Sequence, residues 1–241
     1  MGENIGFLGS GDVYMRVKND DGSWGGWVNS GGADKFELQA ESEIKSQVSK
    51  GRGMYGQATD AVTLPKEPTI GITFNRPNRK VIAAHMLGSV AENNVTGAPV
   101  TGENVTVPAV GEGVFLAHRD VSAVTITGLT EGEDFKVDYK SGFVTNLADT
   151  PGGTWVVDYT YASRDGFQIK GVTKAKVLCQ FRFDGKNMVD EKDAIVDVFE
   201  AQVAPSGGWD MLSNDHTPVE LTGTCNTPTG MDAPWYIDIA T

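Results

Sequence analysis

The chain has 241 residues and a formal net charge of −12, from 32 acidic and 20 basic side chains. Its 30 glycines follow no Gly-X-Y period, and 39% hydrophobic residues with 9% aromatics is too apolar for disorder; collagen-like and unfolded classes are excluded. The acidic balance speaks against a protein that grips nucleic-acid phosphates, and no apolar run approaches the roughly 18 residues of a spanning helix.

The pattern is mostly β. A short strand is predicted over 12–17, and Gly-Gly pairs at 25–26 and 31–32 mark turns around Trp27-Val28. The clearest alternation follows. Phe36, Leu38, Ala40, Ser42, Ile44, Ser46 and Val48 hold one parity; Glu37, Gln39, Glu41, Glu43, Lys45 and Gln47 hold the other. Period two puts these sets on opposite faces of a strand. A single strand over 36–48 would run about 40 Å at roughly 3.3 Å per residue, long for a globular protein. Residues 49–61 read as a long hairpin tip. The return strand over 67–75 sets Ile70, Ile72 and Phe74 against Thr69, Gly71 and Thr73. One helix is predicted over 79–87, capped by Asn78 and ended by Gly88.

Residues 89–102 read as a linker. Strands are then predicted near 104–108, 113–117, 121–127, 134–139 and 154–162, with turn signals between them. Residues 92–172 therefore read as an inserted small β subdomain, and 1–91 with 173–241 as the core domain. The last third alternates over 174–183, turns at Asp184–Asn187, and continues in a long strand over 192–204 with both faces partly apolar. Strands over 218–225 and 234–239 close the chain.

The opening MGENIGFLGSGD has neither a basic nor an apolar leader region, so no signal peptide is expected. Cys179 and Cys225 are too few for a disulfide framework, and Cys179 lies in an apolar strand pattern as a small buried hydrophobe does. His85, His118 and His216 have no partner at metal-ligand spacing, so neither metal nor cofactor is expected. Gly9-Ser10-Gly11 is a lone glycine turn. Asp149 beside Thr150-Pro151, and Asp190-Glu191-Lys192-Asp193, read as solvated turn acids; the second lacks the spacing of a calcium loop. Sequons at Asn94 and Asn104 carry no weight without a secretory signal. Trp24, Trp27, Trp155, Trp209 and Trp235 are scattered, which favours packing over a sugar-stacking face.

Residues 6–48, GFLGSGDVY…GGWVNSGGADKFELQAESEIKSQVS, resemble the opening of phage tail tube proteins, and 36–88 follow that family's order of long strand, loop, long strand and short helix. The segment AKVLCQFRFDGKNMVDEKDAIVDVFEAQVAPSGGWDMLSND is similar to the family's second long hairpin, with a Gly-x-Asn turn at Gly185–Asn187. The block 92–172 departs from the family's minimal pattern.

The resemblance implies a non-enzymatic virion protein: a tail-tube β-sandwich or barrel with one short helix. Six copies would form a ring, rings would stack into a tube assembled in the host cytoplasm, and DNA would pass through without specific binding. A tape measure protein and a tail terminator would be its partners; no membrane is involved. Four long strands from each of six copies, at about 4.8 Å spacing and 40° tilt, give a backbone diameter of roughly 48 Å, enough for a duplex. On this reading Glu37, Gln39, Glu41, Glu43, Lys45, Thr69 and Thr73 face the lumen. The tip residues Lys50, Arg52, Met54, Tyr55 and Gln57 mediate ring stacking. A net negative bore is expected, although Lys174, Lys176 and Arg182 against Asp184 pull the other way if that parity faces inward. The alternatives are a β-sandwich adhesin or carbohydrate-binding virion decoration protein, and an enzyme on a β scaffold.

Overall fold

A computed structural model describes residues 6–149 and 153–240. Among the described residues strands make up 55% and helix 3%, with one helix, so the fold is mostly β as expected. The contacts divide the chain into two units, one of Met1–Ala91 with Ile169–Thr241 and one of Glu92–Gln168.

In chain order the elements are β1 (Gly9–Val17), β2 (Val28–Asn29), β3 (Gly31–Gln39), β4 (Ser42–Val48), β5 (Ala58–Pro65), β6 (Thr69–Pro77), α1 (Arg79–His85), β7 (Ser89–Glu92), β8 (Ala98–Thr106) and β9 (Gly113–Phe115). Then follow β10 (Val121–Ile126), β11 (Phe135–Asp138), β12 (Phe143–Asn146), β13 (Thr154–Tyr161), β14 (Phe167–Lys170), β15 (Val177–Asn187), β16 (Lys192–Pro205), β17 (Val219–Cys225) and β18 (Trp235–Ile239). β7, within the expected linker, pairs with β14 as a two-stranded ribbon.

The larger unit is built on one antiparallel sheet ordered β2-β1-β15-β16-β17-β6-β3, with β18 also paired to β16. Alternation decides its faces. Val13, Met15, Ile70, Ile72, Phe74, Cys179, Phe181, Val198, Val203 and Leu221 share one buried core, into which α1 lays Val81 and Ala84. The helix forms where its cap predicts. Asn78 Oδ1 accepts from the amides of Lys80 at 2.9 Å and Val81 at 3.0 Å, pairing two donors the first turn leaves open. It ends at Met86, with Leu87 at φ 47°.

Two expectations are corrected here, and one open point is resolved. First, the predicted strand 36–48 is two strands. β3 ends at Gln39 and pairs with β6, whereas β4 pairs with β5, a strand the sequence reading took as hairpin tip and approach. The break at Ala40–Glu41 releases β4 from the main sheet, and Lys66 N–H donates to Glu41 O at 2.9 Å across the base of the ribbon. Second, Asp184–Asn187 is not a turn. It lies within β15, and the chain reverses at 188–191. Gly185 pairs with Gly11, and a Cβ on either would come within 2.4 Å of the opposite backbone, so both glycines serve close strand approach. Gly9–Gly11 is accordingly strand as well. Third, the facing of the long strand is resolved by a bulge. Opposite Gln180, β16 carries both Phe199 and Glu200, so Val196 and Val198 before it and Ala201 and Val203 after it all point to the core.

The second unit holds two three-stranded sheets, β10-β13-β8 and β11-β12-β9, around their own core. Here too a bulge alters parity. Ala123 sits at φ 50°, and the register shifts between Ser122 and Thr125, so Val121, Val124 and Ile126 are all buried.

Candidate functional site: a polar sheet face and an exposed ribbon

The face of the main sheet opposite the core is polar over β3, β6 and β17, where the second parity of each strand is polar or glycine. Lys35 lies across from Thr73, Glu37 from Gly71 and Gln39 from Thr69. On the next strand Glu220 pairs with Thr73, and Thr222 with Gly71. These side chains line a shallow cavity of about 320 Å³, together with Ser206. Farther along, Arg182 forks onto Asp197, with Nε 2.5 Å from Oδ1 and Nη2 2.7 Å from Oδ2. Asp197 and its hydrogen bonds hold the Arg182 guanidinium above its ordinary range. Lys35 Nζ is 2.5 Å from Glu37 Oε2, and Arg16 Nε donates to Gln180 at 2.6 Å. Lys35, Arg16 and Arg182 on this face are thus engaged by neighbours.

Of the sequence-predicted lumen residues, Glu37, Gln39, Thr69 and Thr73 come together on this face. Glu41 sits at the break after β3, where it accepts from Gln39 Nε2 at 2.6 Å and pairs with Lys66 at 3.2 Å. Glu43 and Lys45 are elsewhere, on β4, opposite Leu64 and Val62. Sequence reading missed Glu220 and Thr222. The signal was present in β17, where Val219 and Leu221 alternate with them.

The β4–β5 ribbon pairs only with itself, and every β4 residue is exposed. It carries Ile44 (68% exposed), Val62 (51%) and Leu64 (40%), and its tip carries Met54 and Tyr55. The tip is a hydrogen-bonded turn over 49–57. Ser49 N–H donates to Gln57 O, and Met54 N–H to Gly51 O. Lys50, Arg52, Met54, Tyr55 and Gln57 are all exposed there.

The remaining candidates fall elsewhere. His85 is buried, its Nδ1 3.1 Å from Glu220 O, while His216 is exposed. Among the described residues no group of three or more His, Cys, Asp or Glu could hold a metal ion. Asp190 accepts from Lys192 N–H within its turn; Thr150-Pro151 lies outside the described residues. Both cysteines are free and buried, and burial pushes their thiols up to about 12. The tryptophans form no common face. Trp155 is core, Trp209 and Trp235 pack against the main core, and Trp24 and Trp27 flank Arg16.

The family described as "Protein of unknown function UCP028589" matches residues 6–230. The chain belongs to this family. No curated protein matches the chain.

Proposed function

We propose that this chain is a structural, non-enzymatic subunit of a phage-type tail tube, in which copies form rings and rings stack around a DNA conduit. The observation that carries this reading is the β4–β5 ribbon. A two-stranded hairpin alone in water is marginal. This one also presents Ile44, Val62, Leu64, Met54 and Tyr55 to solvent, so a second copy is its natural cover. The sheet supports the same reading. β3 is paired along one edge only, and an open edge invites a strand from a neighbour.

The polar face then serves as the wall of the conduit. Its basic groups Lys35 and Arg182 are bridged to Glu37 and Asp197, which leaves them little capacity to hold passing phosphates. Glu220 adds negative charge beside them. Hexameric rings, a virion-tail location, and contacts with a tape measure protein and a tail terminator belong to this proposal. Deleting 51–57 tests it: soluble protein that no longer elongates is the expected result, and normal tubes from the deletion would refute the stacking role of the tip.

A further inference from the structure

Residues 92–168 carry 11 acidic side chains against 4 basic ones, yet their two arginines and only histidine converge on one pocket. The pocket has a volume of about 340 Å³, near the low end of the roughly 300–1,000 Å³ typical of small-molecule sites. Arg119, Arg164 and His118 line it, with Asn93, Ser141 and Gln168.

Each of these groups is prepared in a particular way. The Arg164 Nε is buried and has no hydrogen-bond partner among the described residues. The Arg164 guanidinium is therefore not tied through Nε to a protein acceptor, and Arg164 lines the pocket wall. Arg119 is mostly exposed. Its contact with Asp120 is long at 3.9 Å, and Asp120 is held instead by Lys140 at 2.8 Å. The guanidinium of Arg119 therefore retains donors for a ligand. His118 stacks flat on Tyr161, with ring centroids 3.8 Å apart and planes 5° apart. Tyr159 gives its one proton to Glu103 in a very short contact. The 2.8 Å contact between His118 Nδ1 and Tyr159 Oη must then be donated by the histidine. This fixes the ring and its tautomer and leaves Nε2 as the open nitrogen. Ser141 Oγ already donates to Asp138 at 2.7 Å, so toward a ligand it acts as an acceptor.

Two guanidinium groups suit the planar fork of a carboxylate, and a rim of amides with a hydroxyl acceptor suits ring hydroxyls. We propose that this pocket binds a single hexuronic-acid residue of an acidic saccharide, its carboxylate held by Arg119 and Arg164 and its hydroxyls by Asn93, Ser141 and Gln168. The assignment concerns residues 92–168 and does not rest on the tail-tube reading.

Isothermal titration calorimetry on the full chain, with glucuronate, glucose, acetate and inorganic phosphate as separate probes, tests it. Glucuronate is expected to bind at least tenfold more tightly than each of the other three. Arg119→Gln, at an exposed side chain, and Arg164→Gln should each weaken glucuronate at least tenfold, while Lys136→Gln, outside the pocket, leaves it unchanged. Circular dichroism keeps the test decisive: if Arg164→Gln unfolds, Arg119→Gln alone decides. Glucose matching glucuronate would overturn the role of the carboxylate. Acetate or phosphate matching it would overturn the saccharide assignment. Undiminished binding by the folded arginine variants would overturn the site.

Discussion

The exposed ribbon gives the sharpest quantitative test. Val62 and Leu64 lie two residues apart on one face of β5, 51% and 40% exposed. Fully burying such side chains is worth about 1.5–3 kcal/mol each; scaled by exposure, covering both contributes about 1.4–2.7 kcal/mol. The double variant Val62→Thr/Leu64→Thr retains β propensity and removes that gain. Its critical concentration for assembly should rise about 10- to 100-fold, since about 1.4 kcal/mol is tenfold. Its unfolding midpoint should move little, because the residues touch no core and surface substitutions fall within about 0.5 kcal/mol. Sedimentation velocity across a dilution series reads the first quantity, and urea unfolding of the dilute subunit reads the second. Assembly with the wild-type concentration dependence would refute the reasoning. So would a loss of subunit stability large enough to explain the assembly defect.

Other residues give independent checks. Phe181 is fully buried, and Phe181→Ala should cost about 3–5 kcal/mol, read as a lower urea midpoint. Asn187 is fully buried, accepts from Leu8 N–H at 2.9 Å and Val189 N–H at 3.2 Å, and donates to Gly6 O at 2.9 Å. Asn187→Ala should cost about 1–3 kcal/mol and speed hydrogen exchange at the Leu8 and Val189 amides. Cys179 and Cys225 should resist iodoacetamide in the folded protein and react after denaturation. Burial raises both thiols from 9.0 to about 12, so the stability gained by keeping them neutral is complete below pH 9 and is lost as pH climbs toward 12. A urea series at pH 8 and pH 11 should show that loss, and Cys→Ser variants should lessen its pH dependence.

Much of the fold is written in local chemistry. The Asn78 cap, the buried parity Ile70, Ile72 and Phe74, and the buried Cys179 all follow from residue type and period. What stayed hidden involves partners rather than composition. Alternation runs unbroken from Phe36 to Val48, so the change of partner strand at Ala40–Glu41 leaves no mark in it. The bulges at Ala123 and at Phe199–Glu200 shift parity by one residue, which made the facing of β16 unreadable from either set alone. Asp184-Gly185 imitates a hairpin turn, but Gly185 is there because Gly11 lies against it. The pocket of Arg119 and Arg164 joins residues 45 positions apart, beyond the reach of any local pattern.

The most direct test of the central claim is electron microscopy of the purified chain at high concentration, taken to a resolution that traces strands. The account predicts stacked rings whose inner wall is the face of Glu37, Gln39, Thr73 and Glu220, with the β4–β5 ribbon covered by a neighbouring copy. Isolated monomers, or rings with that face on the outside, would contradict it.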